Sequence, residues 1–102
     1  MNIIFYNFIS GGILIEFYIM TDKLSAARAK IDLLDRRIAA LLSRRFALAR
    51  PLAALKKKPR DPARERQVLA NASAAAKKPY ARATREIFSE IIRQSIRLQK
   101  TK

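Results

Sequence analysis

The sequence has no cysteine and no histidine, and only two glycines and four prolines in 102 residues. Without cysteine there is no disulfide framework, no thiolate metal site and no thiol nucleophile. Without histidine the chain lacks the commonest metal ligand and the commonest general base near neutral pH. Any chemistry must therefore come from carboxylates, amides, hydroxyls, lysine or arginine. Acidic residues are scarce as well: 8 Asp+Glu stand against 22 Lys+Arg, a formal charge of +14. That surplus suits an anionic partner, whether nucleic acid or a small anionic substrate, or it serves solubility.

Residues 1–19 lack Lys, Arg and Ala, yet hold six Ile, three of the five Phe and both Gly. Met20 marks the seam, and every basic residue lies from Lys23 onward. A signal peptide or anchor would show a basic start and a small-residue cleavage site, or an unbroken run of about 20 apolar residues. The segment shows neither, and Glu16 and Gly11-Gly12 interrupt it. A β-hairpin would pair residues 3–9 with 13–19 across Ser10-Gly11-Gly12, although an isolated hairpin is only marginally stable. The preferred reading is an atypical apolar leader over residues 1–19, outside the native protein or disordered, before one helical domain over 20–102.

From residue 23 to 58 the apolar pattern is helical. Leu24, Ala27, Ile31, Leu34, Ile38, Leu41, Leu48, Leu52 and Leu55 recur in steps of three and four, with one step of seven. Asp22 is placed to cap the start. Pro51 should kink this helix near Ala47, and because the pattern continues beyond it the expectation is one bent helix. About 35 residues at 1.5 Å each make a rod of roughly 50 Å. Residues 20–102 alone are too few to cover such a rod, which needs a partner helix, most simply from a second subunit.

Arg45 falls in the step of seven, four after Leu41 and three before Leu48, and so points into the apolar stripe. A buried unpaired guanidinium is costly and calls for an anionic partner; a structural ion pair or an outward-reaching side chain would also explain it. Lys56 lies eleven residues on, close to three turns, and shares that face. On a continuous helix the two cations would flank a small anion from about 16 Å apart.

Pro59 ends this helix. Asp61-Pro62 is an N-cap followed by proline at the first helical position, opening a second helix to about Ala76. Arg64 and Glu65 lie in its first turn, where a carboxylate is favourable on its own account. Lys77-Lys78-Pro79 breaks the chain again. A third helix runs from about Tyr80 to Lys100 with a stripe of Thr84, Phe88, Ile91, Ser95 and Leu98, widened by Ile87, Ile92 and Gln99. Ser95 and Gln99, one turn apart on or beside the apolar face, need partners, although a lone serine there often bonds its own backbone.

Taken together, "RAKIDLLDRRIAALLSRRFALA", "AALK", "DPARERQVL" and "IFSEIIRQSIRLQ", in this order and register, resemble the all-helical (type II) chorismate mutase family over residues 24–99. The resemblance implies an all-α fold of three helices with a long first helix, assembled as an intertwined homodimer. It implies conversion of chorismate to prephenate for phenylalanine and tyrosine biosynthesis, without cofactor or metal, in the cytoplasm, with no nucleic acid and no membrane as partner. Arg45 would pair with a substrate carboxylate, and Arg28 would do so in the partner subunit's site. Lys56 and Gln99 would donate to the ether oxygen whose bond breaks, Lys56 also to a carboxylate. Glu65 would accept from the ring hydroxyl with the Asp61 backbone assisting, and Arg64 and Ser95 would complete the polar lining. Because the reaction is pericyclic, it needs no nucleophile or histidine. Holding a flexible dianion in a compact shape, and donating to the oxygen that gains charge, would supply the rate.

The chain departs from the family pattern twice: its link from Lys56 to Asp61 is a few residues short, and Pro51 lies between Arg45 and Lys56. The first would open the site or displace Asp61; the second would shift Lys56. Isochorismate pyruvate-lyases share the fold and much of the pocket, and Glu65 favours the mutase. A basic nucleic-acid-binding protein would use Lys56-Lys57-Lys58 and lose affinity steeply with salt, but it would not require Arg45, Ser95 and Gln99 on inward faces. A mutase-like dimer without activity is the remaining reading.

Overall fold

Pro51, Pro62 and Pro79 each stand in the first two positions of a helical segment. The computed structural model describes residues 12–58 and 60–101. These form three α-helices, α1 (Gly12–Ala49), α2 (Pro62–Ala75) and α3 (Ala81–Lys100), with short 3₁₀ segments at Arg50–Leu55 and Lys78–Tyr80. The all-helical expectation holds, including the long first helix.

Its bounds differ from expectation in two ways. Residues 12–19 are helical and form the start of α1, so the hairpin weighed as an alternative for this segment does not form over 13–19; residues 3–9, its other half, lie outside the described residues. Asp22 sits ten residues inside α1 and caps nothing. Nor does one bent helix continue to residue 58. Pro51 has no N–H to give the carbonyl of Ala47, and its ring crowds that carbonyl. The α-helix stops at Ala49, the chain tightens into the 3₁₀ segment, and Lys56 turns extended at φ −91°, ψ 139°. Among the described residues no helix is long and apolar enough to cross a membrane.

The second helix starts as its sequence dictates. The Asp61 carboxylate accepts from the Arg64 N–H at 3.0 Å, Pro62 occupies the first helical position, and the Glu65 N–H reaches the Asp61 carbonyl at 2.9 Å. Such a cap stabilises the helix by about 1 kcal/mol over alanine. Extended backbone at Ala76 and Lys77 ends α2 and leads through the Pro79 turn into α3.

The chain divides after Leu41 into two units. In the first, Leu24, Ile31, Leu34, Ile38 and Leu41 of α1 all stand exposed. In the second, α3 is the element that the others meet: α2 and both 3₁₀ segments pack on it. Ala72 of α2 and Ser95 of α3 are its buried residues, and Val68, Leu69, Phe88, Ile91, Ile92 and Ile96 are half-buried around them. The helices of this unit enclose a cavity.

Candidate active site

Within the second unit a cavity of about 430 Å³ opens between the end of α1, the 3₁₀ segment that follows it, the first turns of α2 and the C-terminal half of α3. This lies in the range of small-molecule sites, roughly 300–1,000 Å³. Its polar wall is Arg45, Lys56, Asp61, Arg64, Glu65, Ser95 and Gln99. These are seven of the eight residues singled out from the sequence. The eighth, Arg28, belongs to the first unit and is exposed.

Each polar side chain is held by its element. Arg45, one turn from the end of α1, donates from Nη1 to the Oγ of Ser95 at 3.0 Å. Ser95 is 8% exposed, and the bond accounts for its buried hydroxyl. Among the described residues Arg45 forms no ion pair. Burial, and after it the charge of Arg64, push its guanidinium below the usual value, yet arginine stays charged throughout the working range. A half-buried cation facing another cation stabilises an anion between them.

Lys56 donates to Gln99 Oε1 at 2.8 Å, and Gln99 Nε2 donates to the carbonyl of Ala49 at 3.0 Å. This orientation of the amide is dictated by its neighbours: an ammonium only donates and a carbonyl only accepts. The Ala49 carbonyl lies at the junction of α1 and the 3₁₀ segment, so this bond ties α3 to that junction. Two Lys56 N–H groups and one Gln99 N–H are left over from these bonds. Pro51 thus ends the α-helix without separating Arg45 from Lys56, since the 3₁₀ segment returns both to one cavity.

Glu65 is the residue with an unforeseen partner. Arg60 grips its carboxylate with both ends of the guanidinium, Nε to Oε2 at 3.0 Å and Nη2 to Oε1. The Glu65 side chain is 18% exposed and that of Arg60 64%, so the arginine covers the carboxylate from the solvent side. These bonds hold the Glu65 carboxyl below its usual value; partial burial opposes the shift, and the charge of Arg60 and the Asp61 backbone reinforce it. Glu65 is therefore an ionised acceptor at neutral pH. Asp61, lining the cavity, is occupied as the cap of α2, and Arg64 donates to Gln67 on its own helix. With Glu65 tied to Arg60 and Asp61 to a helix N-terminus, Arg45, Lys56 and Arg64 remain to hold an anion with more than one negative group.

Leu48, Leu52, Leu55, Val68, Ile92 and Ile96 form the apolar wall. Val68 and Ile96 had not been singled out, although Val68 follows Asp61 by seven and Arg64 by four, and Ile96 precedes Gln99 by three. Arg60 had no such signal, because it lies outside α2 and no helical spacing relates it to Glu65. Among the described residues no group of carboxylates lies close enough together to hold a metal ion.

Comparison with curated proteins and with solved structures gave no match. The family described as Chorismate mutase type II matches residues 27–100, a stretch that contains every residue of the cavity wall and well over half of the chain. On that match the chain belongs to the chorismate mutase type II family.

Proposed function

We propose that the chain converts chorismate to prephenate in the cavity of its second unit. The observation that carries this reading is Arg45: a half-buried guanidinium with a serine as partner, facing the cations Lys56 and Arg64. It needs an anion, and a dicarboxylate substrate supplies one. Arg45 takes one carboxylate as a fork, with Arg64 and Ser95 beside it. The ring hydroxyl donates to the ionised Glu65.

The carbon–oxygen bond of the ether breaks as the new carbon–carbon bond forms, the double bonds shift, and the side chain, now a ketone, stays attached through the new bond. No proton or electron is exchanged with the protein. The protein must hold the two ends in contact, which converts chain flexibility into rate, and must stabilise the charge that grows on the ether oxygen. The spare N–H groups of Lys56 and Gln99 are suited to that oxygen, and donors fixed before the reaction favour the transition state over the substrate.

A homodimer belongs to this proposal. The exposed stripe of Leu24, Ile31, Leu34, Ile38 and Leu41 supports it, because each such side chain gains about 1.5–3 kcal/mol when covered. Arg28 follows Leu24 by four and precedes Ile31 by three, on the face a partner would meet. Each subunit would lend Arg28 to the partner's site.

The test is turnover by the full chain, followed as loss of chorismate absorbance with product identification. Prephenate is the expected product. A folded protein that leaves chorismate untouched overturns the reading, and release of pyruvate from isochorismate would assign the lyase reaction instead.

A further inference from the structure

A second cavity adjoins the Lys56–Gln99 hydrogen bond. It measures about 290 Å³, and both residues line it as they line the first. The rest of its wall brings Lys57 and Lys58 from the segment after the 3₁₀ turn and Lys100 from the end of α3, with two apolar residues. Four ammonium groups from two elements thus surround a small concavity that no carboxylate lines. The ion pairs of the described residues, Arg60–Glu65, Arg82–Glu86 and Arg93–Glu90, use none of these lysines. The carbonyl end of α3 offsets only part of the charge of Lys100. Like charges gathered in a concavity raise the local concentration of an anion, and lysine meets tetrahedral oxyanions as a point charge.

We propose that this second cavity binds a small polyanion bearing a phosphate-type group, and that its occupant competes with the first cavity for Lys56. The proposal rests on the role given to Lys56 above. A polyanion among the four lysines accepts from the Lys56 ammonium and draws it away from Gln99. The donor meant for the ether oxygen is then withdrawn while Arg45 and Arg64 still hold the substrate. Occupancy therefore lowers kcat, and saturating chorismate does not relieve it. A phosphate bound in the first cavity would behave differently: it would displace chorismate and raise KM alone.

Inorganic phosphate is the probe, used at constant ionic strength balanced with sodium chloride. Binding to the full chain is followed by calorimetry, and chorismate turnover is followed with and without phosphate. The variant K57A/K58A/K100A changes only lysines outside the substrate cavity. The wild type is expected to bind one phosphate per chain and to lose kcat as the site fills. The variant is expected to keep its phosphate-free kcat and KM and to bind phosphate at least about tenfold more weakly. Lys100→Gln alone, a milder change at an exposed position, should weaken binding in the same direction. Equal binding by wild type and variants, inhibition that chorismate fully relieves, or no binding by the wild type overturns the proposal. Absence of chorismate turnover in the wild type would count against the mutase reading, and calorimetry would still decide the phosphate site.

Discussion

Lys56→Ala removes one of the three cations that line the cavity, the one bonded to Gln99, and little else. Its ammonium is half-buried and its one bond within the described residues goes to Gln99, at 2.8 Å. The structural cost is that charge-assisted bond, about 1.5–3 kcal/mol, part of which water recovers by entering the space. Gln99 keeps its own bond to the Ala49 carbonyl at 3.0 Å, so the amide stays in place. The catalytic cost is larger. Losing one preorganised donor to a developing oxyanion lowers kcat by about 10²–10³, or roughly 2.7–4 kcal/mol, and a charged donor bonds about twice as strongly as a neutral one. The expected loss is therefore about 10³-fold or more in kcat, with a rise in KM from the lost carboxylate contact. Steady-state chorismate kinetics measure both, with circular dichroism showing that the helices persist. A folded Lys56→Ala protein that keeps more than about a tenth of the wild-type kcat refutes the assignment of Lys56 to the ether oxygen.

Arg60→Ala should move the acid limb of kcat/KM. Arg60 holds the Glu65 carboxyl below its usual value, so the ionised form survives to lower pH; without Arg60 the limb shifts to higher pH, and a stability contribution present at neutral pH and lost as pH falls through the folded-state value disappears with it. A pH–rate profile checks the shift, and an unmoved limb would mean that Glu65 does not gate turnover. Arg28→Ala and Arg45→Ala proteins should each be nearly inactive, yet regain about a quarter of wild-type activity when unfolded and refolded together, because half of the dimers are mixed and each has one intact site. Ile38→Asp puts a charge into the exposed stripe of α1 and should halve the mass seen by sedimentation.

Much of the candidate cavity's polar lining was legible because helical spacing carries it. Arg45 between Leu41 and Leu48, and Ser95 one turn before Gln99, are polar residues at positions where the period demands apolar ones. The structure places all four of the expected first- and third-helix polar groups, Arg45, Lys56, Ser95 and Gln99, on one wall. The Asp61-Pro62 cap was readable because capping is local chemistry. What escaped depends on what the chain does between helices. Pro51 reads as a kink if the following apolar steps are taken as helix, but a 3₁₀ segment keeps similar steps and so satisfies the same pattern. The Arg60 grip on Glu65 comes from a residue that lies before α2 and not on it, a contact with no periodic signature. The apolar wall of Val68 and Ile96 escaped because such residues look the same whether they face a core or a cavity.

The central claim is that the cavity beside Arg45 is where chorismate reacts. Its most direct test compares wild type with Arg45→Ala in one assay of chorismate loss with product identification, alongside circular dichroism. The account predicts prephenate from the wild type and turnover at least about 10²-fold slower from a folded Arg45→Ala protein. Equal rates from the two would contradict it.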